Sequence, residues 1–69
     1  MNTQNYKNTL IKNLIVLYRL DSQEATDAVE NSTVAYMLNR SKESAKWQMH
    51  QSLNSTLKEI YQEYAGIPV

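Results

Sequence analysis

The chain holds a single glycine and a single proline, and both stand at its end, as Gly66 and Pro68. From Asn2 to Ala65 nothing breaks a helix outright, while a set of short strands would need many more turn residues. The run Leu14–Tyr18 would also suit a buried strand, but a strand there finds no partner in the rest of the sequence. The expected fold class is all-α.

Capping residues divide the chain. Asp21 followed by Glu24 is an aspartate version of the capping box. Ser41 is a second N-cap candidate, directly after Arg40, a residue suited to a helix C-terminus. Gly66 tolerates the left-handed conformation past a helix end, and Pro68 blocks continuation. These signals predict three helices, at 4–20, 22–39 and 42–65, with residues 1–4 and 67–69 frayed. The weak helix formers Asn31-Ser32-Thr33 mark a point where the second helix can kink or break. Connections this short imply antiparallel neighbours in a small three-helix bundle forming one domain over residues 1–69.

At about 100° per residue, Ala45, Met49, Leu53, Thr56, Leu57, Ile60 and Tyr64 form one stripe on the third helix. The first helix is apolar more widely. Tyr6, Leu10, Leu14 and Leu17 make one face, Ile11, Ile15 and Tyr18 the next, and Val16 and Leu20 extend the arc. An arc that wide exceeds what two neighbours cover in 69 residues. It predicts homodimerisation, with Tyr6, Leu10, Ile11, Ile15 and Tyr18 as the self-association face. The expected core is Leu10, Leu14, Leu17, Val29, Met49, Leu53, Leu57 and Ile60. On this reading Leu53→Ala costs about 2–5 kcal/mol. A chain of this length buries only about 60% of its unfolded surface, which adds to the case for a partner.

Composition excludes several function classes. With no cysteine there are no disulfides, thiol nucleophiles or cysteine-ligated zinc sites. His50 is the one histidine, so clusters of imidazole ligands are ruled out, and no carboxylate stands one turn from it. Ser55 and Lys58 match a Ser-x-x-Lys spacing, and Glu59 and Glu63 stand one turn apart. The first reads as coincidence on a polar face, the second as a solvated, mildly repulsive pair. The sequons at Asn31, Asn39 and Asn54 follow from a composition in which Asn, Gln, Ser and Thr fill a third of the chain. No nucleophile, base and orienting group assemble, so neither an enzyme nor a cofactor or metal site is expected.

Net charge is zero, which argues against non-specific nucleic-acid binding. The charge is unevenly placed: residues 1–20 carry Lys7, Lys12 and Arg19 without an acid, and residues 21–40 carry four acids against Arg40. Lys7, Lys12 and Arg19 therefore support an alternative reading as a helical dimer that binds nucleic acid, although the helix after the first turn is acidic. They are few for attachment to a membrane surface. The apolar stretch 10–20 is far short of the roughly 20 residues of a membrane span and lacks a signal-peptide cleavage pattern, so a cytoplasmic location is expected.

The aromatic residues are five Tyr and one Trp, with no Phe. Such amphipathic rings suit half-buried and interface positions. The expected function is therefore a non-enzymatic protein–protein interaction module of the regulator, adaptor or inhibitor kind. Its contact surface is drawn from Val34, Met37 and Leu38 in the apolar run of the second helix and from Trp47, His50 and Tyr61 along one edge of the third.

Overall fold

A computed structural model describes residues 2–66 and is helical throughout, with no strand among them. Five helices replace the three expected: α1 (Thr3–Tyr18), α2 (Ser22–Glu30), α3 (Thr33–Arg40), α4 (Lys42–Met49) and α5 (Leu53–Ala65). Each helix begins at a side chain that satisfies one of the amides left free in the first turn. Asn2 accepts from the Asn5 N–H at 2.8 Å, so α1 starts at Thr3, one residue before the expected start. The Asp21 box is reciprocal, with Asp21 accepting from the Glu24 N–H at 2.7 Å and the Asp21 N–H donating to Glu24 Oε1 at 3.0 Å. Met1 and residues 67–69, including the Pro68 stop, lie outside the described residues.

α1 ends two residues early. Arg19 adopts the left-handed conformation, φ 58°, and the Leu20 N–H reaches back to the Leu14 carbonyl at 3.4 Å. That closure turns Leu20 inward against the core.

The second expected helix does break at residues 31–32. Buried Ser32 joins the halves: its hydroxyl donates to the Val29 carbonyl at 2.7 Å and accepts from the Ala35 N–H at 3.2 Å. Ser41 then ends α3 and caps α4, accepting from the Ser44 N–H at 3.1 Å.

The third expected helix also breaks, at residues 50–52. The His50 and Gln51 amides tighten onto carbonyls three residues back, Trp47 at 3.2 Å and Gln48 at 3.1 Å. Ser52 restarts the chain as the N-cap of α5. At the far end Gly66 closes α5 with φ 71°.

α1 packs on α2 and α3 on α4, while α5 lies against α1, α2 and α3. Leu10, Leu14, Val29, Leu57 and Ile60 are fully enclosed, as expected, and Val34, Leu38, Ala25, Ala28 and Ala45 complete the centre. Three expected core residues differ. Met49 is half-buried at the core's edge. Leu53 is 37% exposed, because the break at 50–52 makes it the first residue of a new helix and ends the stripe that ran through it. Leu17 is 59% exposed, because the end of α1 turns Tyr18 and Leu20 toward the core instead.

Candidate functional site

A cleft of about 270 Å³ opens where α3, α4 and α5 meet. α3 contributes Thr33 and Met37, one turn apart on the same face. α4 and the break after it contribute Trp47, Gln48 and Gln51, and the first turns of α5 contribute Ser55, Thr56 and Glu59. The floor is polar and satisfied. Buried Gln48 donates from Nε2 to buried Thr56 Oγ1 at 3.4 Å, and the Tyr6 hydroxyl donates to the Gln48 carbonyl from beneath at 3.4 Å. The Trp47 indole stands on the wall, 57% exposed.

Thr33 opens α3, where free amides and the helix dipole attract an anion. Glu63 already supplies it: its carboxylate accepts from the Thr33 N–H at 3.1 Å and from Thr33 Oγ1 at 2.7 Å. Glu63 therefore clamps α5 to α3, where the sequence suggested a solvated carboxylate. Glu59, its neighbour one turn back, lines the cleft and has no ion-pair partner among the described residues.

Of the six residues expected on a partner-binding surface, the structure brings Met37 and Trp47 together in this cleft. Val34 and Leu38 are corrected to core positions, 1% and 5% exposed, because α3 is covered by α4 on one side and by α2 and α5 on others. His50 is exposed at the end of α4, outside the cleft lining. Tyr61 is half-buried and stacks on Tyr18, ring centroids 4.8 Å apart. Trp47 and Tyr61 thus share no edge, since the break at 50–52 puts them on different helices.

The five residues expected on a self-association face are divided too. Tyr6 and Leu10 are buried and belong to the core, which removes them from any contact between chains. Ile11 and Tyr18 are half-buried against it. Ile15 stays on the surface, and Val16 and Leu17 join it at 66% and 59% exposed. Three successive residues sweep about 200° of a helix, so the last turn of α1 shows apolar side chains to solvent across that arc, Ile15 in part and Val16 and Leu17 mostly. The apolar width of α1 announced this, but the wheel could not say which arc the other helices leave open.

Tyr36, inside the apolar run of the second expected helix, is 61% exposed. It borders a shallow depression of about 390 Å³ with Glu30, Asn31 and Arg40 at the α2–α3 junction. Tyr64 donates its hydroxyl to Glu24 Oε2 at 3.2 Å, tying the end of α5 to the start of α2. Partial desolvation, that hydrogen bond and the charges of Glu24, Asp21 and Asp27 raise its pKa above the ordinary 10.0.

The three cations of the first segment part company. Lys7 is buried with its Nζ 3.5 Å from Glu30, whereas Lys12 and Arg19 remain exposed. That leaves fewer cations free for a phosphate backbone than the sequence promised. Among the described residues no helix is long and apolar enough to cross a membrane, and no three His, Asp or Glu side chains converge as metal ligands. No family model, curated protein or solved structure matches the chain.

Proposed function

We propose that this chain is a non-enzymatic protein-interaction module that pairs with a second copy of itself through the bare last turn of α1. The observation that carries this reading is the run Ile15-Val16-Leu17, three successive large apolar residues on the surface of a chain with a small core. Isolated exposed leucines are ordinary, but a helical turn bare on several sides is the mark of a contact surface.

A second copy suits the surroundings of that turn. Exposed Lys12 on α1 and Arg19 at its C-cap flank it in sequence, and exposed Asp21, the N-cap of α2, and Asp27 within α2 follow. A two-fold contact centred on Val16, with the two α1 helices antiparallel, sets the basic rim of each copy against the acidic corner of the other. The same patch then serves both chains, which is what a self-complementary interface requires.

Light scattering over a concentration series tests the pairing. Wild-type protein should pass from monomer to dimer, and Val16→Glu should stay monomeric with its helical circular dichroism unchanged, since Val16 supports nothing inside the fold. A wild-type chain that remains monomeric at millimolar concentration would overturn the reading.

A further inference from the structure

We infer that the cleft between α3, α4 and α5 receives an arginine side chain of a partner protein. The inference rests on the reading of this chain as a protein-interaction module. It concerns a surface separate from the α1 turn, so either can fail while the other stands.

Charge makes the first argument. Glu59 is the charged residue of the cleft lining, and no described cation lies within ion-pair distance of it. The N-terminus of α3 is already satisfied by Glu63 through the Thr33 N–H and hydroxyl. The cleft therefore offers an incoming group one unspent carboxylate, above a first turn of α5 whose Ser55 N–H is capped by the Ser52 hydroxyl. Lys58 stands in the adjoining depression on α5, with Glu59 and Glu63, and does not line the cleft.

The wall makes the second argument. The Trp47 indole, 57% exposed, and half-buried Met37 line the same cleft and leave a polarisable ring accessible there. Cations are drawn to the face of an indole, and a guanidinium stacks there while its edge donates two parallel hydrogen bonds to a carboxylate. Trp47 and Glu59 supply those two halves from different helices. The floor between them is held by the Gln48–Thr56 hydrogen bond and by Tyr6 beneath it, so the two walls have a fixed base.

Size makes the third. At about 270 Å³ the cleft has room for one long side chain, and it runs through Thr33, Ser55 and Glu59 into a wider depression along α5. The apolar stem of an arginine would lie along Met37 and Trp47, its head at Glu59.

Trp47 is the one tryptophan of the chain, so its emission reports on this cleft alone. The probes are acetyl-Gly-Arg-Gly-amide and two counterparts in which citrulline or lysine replaces the arginine. The arginine peptide should change the Trp47 emission saturably, with weaker binding as salt is raised. Affinity should fall at least fivefold for the citrulline peptide, which keeps the shape and loses the charge, and at least fivefold for Glu59→Gln with the arginine peptide. Glu59 is exposed, and a melting curve checks that Glu59→Gln folds as wild type; the salt series gives the same reading without a variant. Absence of a saturable response at tens of millimolar, equal binding of the citrulline peptide, or undiminished binding by Glu59→Gln would each overturn the inference. Equal binding of the lysine peptide would overturn the guanidinium assignment. Repeating the titration on Val16→Glu, while light scattering follows its association, separates failure here from failure of self-pairing.

Discussion

Arg19 sits in the left-handed region at φ 58°, where a side chain with a Cβ costs about 1–2 kcal/mol relative to glycine. Gly66 does the same work at the end of α5 without that cost. Arg19→Gly should therefore relieve strain, offset by about 0.4–1 kcal/mol for the extra freedom glycine gives the unfolded chain. The net gain expected in urea unfolding lies between zero and about 1.6 kcal/mol. The comparison belongs in a Val16→Glu background, because Arg19 borders the proposed pairing surface. A loss of stability would mean that the Arg19 side chain holds the α1 end by contacts worth more than the strain. Nothing in the sequence marks this position, since arginine is no signal for a left-handed residue. Ser32 is the opposite case. Its place among weak helix formers announces a break, and the structure gives its hydroxyl one bond on each side of that break.

At the scale of the helix, a capping side chain is legible where the apolar pattern also changes beside it, and Ser52, which caps α5, stands where that pattern does not change. Asp21, Glu24 and Ser41 are of the legible kind, and the helices start where they say. The break at 50–52 has no glycine or proline, and Ala45, Met49, Leu53, Leu57 and Ile60 keep near-helical spacing straight through it. A wheel drawn over the whole segment therefore treats Leu53 as the equal of Leu57. The structure separates them, with Leu53 37% exposed at the start of α5 and Leu57 1% exposed. Leu57→Ala should cost about 2–5 kcal/mol through lost burial and the cavity left behind. Leu53→Ala should cost under about 1.5 kcal/mol, in place of the 2–5 kcal/mol its stripe implied, because much of the side chain already meets water. Chemical denaturation of the pair checks the difference; equal losses would mean that the stripe, and an unbroken helix, describes residues 42–65 better than α4 and α5 do. The same break explains the partial legibility of the cleft. Met37 and Trp47 were visible as amphipathic surface candidates, but Glu59 comes beside them only because α5 sets out in a new direction after Ser52.

For the whole molecule the question is how so small a core sustains a fold. Its fully enclosed large side chains are few: Leu10, Leu14, Leu57, Ile60, Val29, Val34 and Thr56. Domains of about 60 residues bury only about 60% of their unfolded surface and are correspondingly marginal. Covering the last turn of α1 in a dimer would add apolar burial that the lone chain does not have, and the coupling has a measurable consequence. Wherever the dimer is populated, a hundredfold rise in concentration stabilises it by about 2.7 kcal/mol per dimer, half of that per chain. At about 4–8 °C per kcal/mol for a domain of this size, the wild-type Tm should climb by roughly 5–11 °C across that range. Val16→Glu should melt at one temperature throughout, near the low-concentration limit of the wild type. A wild-type Tm that is equally flat would show that the fold draws no stability from self-association, and that Ile15, Val16 and Leu17 face water at no benefit to this chain.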